Sequence, residues 1–102
     1  MKCKVEILKG DIENGIPGNY FKCPISLSLK RKFKAKAVYT DIGFTGVFML
    51  IDGIKYSVIK KHIDKVTNFI AKFDSYFEDQ EYHLYDAKIL KPISFKINKE
   101  SK

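Results

Sequence analysis

Along the chain, apolar and polar positions fall into short alternating runs broken by glycine and proline. Lys2 to Ile7 alternates with period two, the pattern of a half-buried strand. Lys9 to Asn19 carries Gly10, Gly15, Pro17 and Gly18 and is expected to be a loop, with room for one helical turn at Asp11 to Asn14. From Ile25 to Tyr39 the apolar residues sit at odd positions, with serines and lysines between them, which favours a strand. Two features of the same stretch favour a helix instead. Pro24 suits a first helical turn, where its missing N–H is no loss, and Ile25, Leu29 and Phe33 are spaced by four.

From Lys36 onward the pattern is β. Lys36 to Thr40 is expected as a strand, Asp41-Ile42-Gly43 as a turn, and Phe44 to Ile51 as a second strand. Asp52-Gly53 offers type I′ hairpin chemistry before a third, Ile54 to Ile59. Phe48 to Ile51 are apolar without a break, which predicts a central strand covered on both faces. Ile63, Val66, Phe69, Ile70 and Phe73 then recur at steps of three and four, one stripe of an amphipathic helix. Glu78 to Asp86 has no period and reads as a loop. Pro92 to Ile97 alternates and makes a closing strand, and Asn98 to Lys102 a frayed tail.

The order strand-helix-strand-strand-helix-strand predicts an α+β fold: one small domain, 1–102, with a mainly antiparallel sheet and two helices on one face. A length of 102 residues fits one domain, and 45% hydrophobic content can fill its core. No run approaches the roughly 18 apolar residues that span a bilayer, and the first residues lack a signal-peptide core. No membrane partner and a cytoplasmic location are expected. Cys3 and Cys23 are too few and too far apart for a zinc motif and are expected as reduced thiols. A disulfide would require the first strand to lie beside the Cys23 turn.

Charge adds a polarity that hydropathy lacks. Net charge is +7, and between Asn14 and Thr40 there are six basic residues and no acidic one. Between Asp74 and Asp86 the balance reverses, with five acidic residues and no lysine or arginine. The basic stretch would attract anions, and the polarity would permit head-to-tail homo-oligomers. Lysines of this kind also serve only to keep a small protein soluble.

Catalytic groups are sparse. Cys23 beside a helix start could be an activated thiol, but its base would have to be His62 or His83, and His62 stands among lysines. The simpler role for Cys23 is to pack where the helix begins. Asp11 and Glu13, or Asp74, Glu78 and Asp79, could hold magnesium, yet neither set has metal-loop spacing. No cofactor fingerprint is present, and no cofactor is expected. A phosphate could still rest on the first turn of a Pro24 helix, just after Asn19, Tyr20 and Lys22. Base rings could stack on Tyr20 or Tyr39.

Four segments carry a resemblance: Asp11-Ile12-Glu13-Asn14-Gly15, Cys23-Pro24-Ile25-Ser26-Leu27-Ser28-Leu29-Lys30-Arg31, Phe69-Ile70-Ala71-Lys72-Phe73-Asp74 and Pro92-Ile93-Ser94-Phe95-Lys96-Ile97. Together, and in this order, the chain resembles a group of short, uncharacterised phage-type proteins. Serines stand at 26 and 28 where that group has alanines, and the stretch between Asp74 and Pro92 is longer. The resemblance implies a helix over Pro24 to Phe33 and a phage or mobile-element setting. It further implies a non-enzymatic protein that binds and disables a host component. Its expected site is Asn19, Tyr20, Lys22, Lys30, Arg31, Lys32, Lys34 and Tyr39, taking an anionic nucleotide signal. Nucleic acid, or the acidic surface of a host defence protein, is the alternative partner. A single arginine counts against base-specific reading of a duplex.

Overall fold

A computed structural model describes residues 2–16, 19–43, 46–78 and 90–100. Its elements run β1 (Lys2–Glu6), α1 (Lys9–Asn14), α2 (Pro24–Phe33), β2 (Val38–Gly43), β3 (Gly46–Ile51) and β4 (Ile54–Val58). A 3-10 turn (Lys60–His62), α3 (Ile63–Glu78) and β5 (Ser94–Lys99) complete them. The strands form one antiparallel sheet in the order β1-β5-β4-β3-β2. The α+β reading therefore holds, with a third, short helix in α1.

Period-two alternation decides which face is covered. Val5, Phe95, Ile97, Val58, Met49, Val47 and Val38 point inward and are buried with Ile25 and Leu29 of α2 and Val66, Phe69 and Phe73 of α3. Pro24 starts α2 as expected, and the helix takes the ambiguous stretch as far as Phe33. Period four prevails over period two there because Ser26 and Ser28 are not a solvent face. Both are fully buried, and both hydroxyls are bonded.

The hairpin at Asp52-Gly53 forms with φ of 50° and 84°, the left-handed pair that a type I′ turn requires. Other expectations need correction. Asp41-Ile42-Gly43 is not a turn but part of β2, paired with Phe48, Val47 and Gly46. Asp41 tolerates a strand because its carboxylate accepts from the N–H of Ile42 and the hydroxyl of Tyr39. Lys36 and Ala37 precede β2, and their N–H groups donate to the Asp52 carboxylate at 3.0 and 2.9 Å.

β3 is internal to the sheet but covered on one face, not two: Met49 is buried whereas Leu50 is 41% exposed. Asn98 and Lys99, expected in a frayed tail, belong instead to β5, pairing with Ser57 and Tyr56; residues 101–102 lie outside the described residues. Pro92 stays outside the strand, as its missing N–H requires. Glu78 ends α3. The expected loop over 79–86 lies outside the described residues, as do Phe44 and Thr45 at the expected start of β3.

Gly15 holds α1 close to α2. A Cβ there would stand 2.8 Å from the Pro24 ring and 2.9 Å from the Asp11 carbonyl oxygen, so the approach needs glycine.

Candidate binding surface

The loop from Asn19 to Cys23 is built by local bonds. Asn19 Oδ1 accepts from the N–H groups of Phe21 and Lys22, both at 3.0 Å, and closes a tight turn. The turn lies along β2, where Thr40 N–H donates to the Tyr20 carbonyl at 3.0 Å and so satisfies part of the sheet edge. Ser26 Oγ adds a donated bond to that carbonyl at 2.7 Å and meets Thr40 Oγ1 at 2.7 Å. Helix, loop and strand are thus joined through one buried hydroxyl.

That anchoring displays three rings. Tyr20 and Phe21 meet Tyr39 edge-on, with centroids 5.4 and 5.2 Å apart, and are themselves 53% and 58% exposed. Such T-shaped pairs favour a fixed geometry. Tyr39 stands on the sheet face away from the helices, opposite Leu50. Phe48 shares that face and lies 4.4 Å from Lys55 Nζ, a cation over an aromatic ring. Burial and the Asp41 carboxylate raise the Tyr39 hydroxyl above its ordinary pKa, so Tyr39 stays uncharged at neutral pH.

The sequence places Lys30, Arg31, Lys32 and Lys34 in one site with these rings; the fold separates them. They stand at the C-terminal end of α2, about 9 to about 15 Å of helix rise from its start, and α2 covers the opposite face of the sheet. Lys30, Arg31 and Lys32 sit in the last turn, where positive charge complements the helix dipole. Arg31 is committed further. It donates to Asp11 Oδ2 at 2.7 Å and to the Glu6 carbonyl at 3.2 Å. Lys34 ends the helix in a left-handed conformation, φ 52°. Asn19, Tyr20, Lys22 and Tyr39 therefore form one group, and the four residues of the helix end another.

The phosphate cradle expected at the start of α2 is filled from within. Cys23 Sγ accepts the Ser26 N–H at 3.5 Å, and proline removes another donor of that turn. Among the described residues no base bonds this thiol: His62 Nδ1 accepts instead from Lys96 N–H at 3.0 Å, and His83 lies outside the described residues. Both cysteines are free thiols. Asp11 accepts the Leu8 N–H at 2.8 Å as well as Arg31, which leaves its carboxylate occupied. Among the described residues no three His, Cys, Asp or Glu side chains converge as metal ligands would.

A hollow of about 170 Å³ opens between the loop, β2 and α3, lined by Asn19, Tyr20, Cys23, Thr40, Asp41, Ile42 and Ile70. That is below the roughly 300–1,000 Å³ of pockets that enclose a drug-sized ligand. The more extensive feature is the open sheet face, and Phe21, Phe48, Leu50 and Lys55 are the residues there that the expected site omits. Strict alternation along β3 and β4 was the signal that could have located Phe48, Leu50 and Lys55, whereas Phe21 sits in a loop that carries no such period. No family model, curated protein or solved structure matches the chain.

Proposed function

We propose that the protein is a non-enzymatic binding protein for single-stranded nucleic acid, held on the open face of the sheet. The observation that carries this reading is the exposed pair Tyr20 and Phe21 set edge-on against half-buried Tyr39 at the sheet edge, continuous with Leu50, Phe48 and Lys55 on the open face. Bases stack on such rings without regard to sequence, while lysines meet the phosphates. The separation of the rings from the helix-end lysines favours a polymer over one compact nucleotide, and so does the small hollow.

Fluorescence anisotropy with labelled homopolymers at low salt tests the reading. Tyr39→Ala is expected to weaken binding about 5- to 150-fold, the range of one lost base stack, while Tyr39→Phe retains most affinity. Failure of every single-stranded probe to bind the unaltered protein would overturn it.

A second reading stays close to the resemblance: a phage-type antagonist of host defence, acting in the host cytoplasm by sequestering a nucleotide signal. The hollow beside Asn19 and Tyr20 favours it, since one base edge could enter there. Calorimetry against cyclic and linear nucleotides separates the two. A mononucleotide bound as tightly as an oligonucleotide selects the second.

A further inference from the structure

The half of the open face remote from Tyr39 carries an arrangement that folding alone disfavours. Lys4 of β1 and Lys96 of β5 stand directly opposite each other. Lys96 spends its own backbone groups on the other side: its N–H donates to His62 Nδ1 and its carbonyl accepts from Ile59 N–H, each at 3.0 Å. Lys4 and Lys96 are therefore a narrow pair without mutual backbone bonds, the geometry that brings side chains closest. Like charges so placed destabilise a sheet. Both lysines are exposed, and neither has an ion-pair partner among the described residues.

More positive charge gathers at the same place. Lys2 lies two residues from Lys4 on the same face. Lys65 belongs to α3, which packs on the other face, and it donates to the Ser94 carbonyl at 2.9 Å. His62, whose Nδ1 accepts the Lys96 N–H at 3.0 Å, has its pKa lowered by desolvation and by the positive charges of Lys65, Lys61 and Lys96. Glu6 and Asp64 are the carboxylates adjacent in the chain, and neither pairs with these lysines.

We infer that Lys4 and Lys96, supported by Lys2, form a phosphate-backbone site. It would take the far end of the same single strand whose bases stack at Tyr39. The inference rests on the nucleic-acid reading above and adds a path to it. From β2 to β1 there are four strand spacings, about 19 Å, and Lys96 lies four residues along β5 from the position in line with Tyr39, about 13 Å more, so the oblique path is about 23 Å. That distance matches about seven phosphates at the 3.4 Å rise of a stacked strand. A polyanion lying across the sheet offsets the repulsion that the Lys4–Lys96 pair creates, whereas a ligand of one or two nucleotides at the Tyr39 edge never reaches it.

The test is a length series of labelled oligothymidylates, from about two to about twelve nucleotides, with salt dependence measured at each length. Against the longest probe, Lys4→Gln/Lys96→Gln should lower the log–log salt slope by about 1.4, some 0.7 for each lost phosphate contact. Against the dinucleotide the double variant should match the unaltered protein. If the slope for the longest probe is unchanged while Tyr39→Ala still weakens binding, the phosphate site falls and the nucleic-acid reading stands. An equal loss of slope at every length overturns the crossing path, because the lysines would then act beside the rings. No binding of any probe to the unaltered protein overturns both. The melting temperature of the double variant serves as a folding control, and it should not fall.

Discussion

Two groups of positive charge in this molecule are built in opposite ways. At the end of α2, Lys30, Arg31, Lys32 and Lys34 are neighbours in sequence, and the fold accounts for much of their charge. The helix C-terminus accepts it, Asp11 pairs with Arg31, and the side chains project from the helix layer. Across β1 and β5, Lys4 and Lys96 are far apart in sequence, and the sheet register sets them face to face with no compensating carboxylate bonded to either among the described residues. A contiguous basic run is thus a poor guide to where uncompensated charge accumulates. Pairing across strands is the better guide, because it concentrates charges that sequence keeps apart.

The largest effect should come from breaking the compensated group at Asp11. This carboxylate is nearly buried, receives the Leu8 N–H at the start of α1 and binds Arg31. Asp11→Ala removes a helix-start acceptor and leaves the guanidinium without its partner. A loss of about 1–2 kcal/mol is expected, typical of deleted cap residues, as a lower urea midpoint at unchanged m value. Asp11→Asn keeps the acceptor and loses only the charge. Since Arg31 is half exposed, solvent already screens the pair, and the second variant should cost less than about 1 kcal/mol.

The contrast sharpens when one chemical change is made in both groups. Lys32→Gln removes a cation from the last turn of α2 and should destabilise by about 0.3–1 kcal/mol at low ionic strength. Lys96→Gln removes half of a like-charge pair and should stabilise by a few tenths of a kcal/mol. Opposite signs from the same substitution, both shrinking as salt is added, would establish the distinction. Thermal unfolding of the two variants at low and high salt reads both, and equal signs would refute it.

How much of this was legible in the sequence depended on whether a signal was local. The Asp52-Gly53 hairpin, the α3 stripe and the alternation of β1 are carried by adjacent residues, and each appears where the pattern places it. Pro24 to Phe33 was ambiguous because Ser26 and Ser28 look like solvent positions. Their burial follows from bonds to the Tyr20 and Ile25 carbonyls, and a bond six residues back along a loop leaves no pattern in the sequence. Asp41 misled for the same reason: a residue typical of turns sits in a strand because Tyr39 and Ile42 satisfy it. The candidate site was half legible. Asn19, Tyr20 and Tyr39 come together, but the turn at Asn19 and the bond from Thr40 that unite them act across the chain. Nothing in the run from Lys30 to Lys34 reveals that α2 turns it towards the opposite face.

The smallest effect tests the uncompensated group from inside. His62 Nδ1 must be unprotonated to accept the Lys96 N–H, and the pKa of the ring lies below its ordinary 6.5 through desolvation and the fields of Lys65, Lys61 and Lys96. As pH falls, the unfolded chain therefore takes up this proton before the folded one. The stability that His62 supports is fully present above about pH 6.5 and declines as pH drops through that value, levelling off only below the folded pKa. Melting temperatures recorded from about pH 8 to about pH 5.5, a window above ordinary carboxylate titration, should show this decline. In His62→Gln the amide oxygen can still accept the bond, and the slope in that window should flatten. A bound polyanion would neutralise the same lysines and move the His62 pKa upward, which an NMR titration of the ring would follow. Should the pKa stay fixed while an oligonucleotide binds, the strand does not pass over Lys96, and the comparison between the two groups would lose its functional meaning.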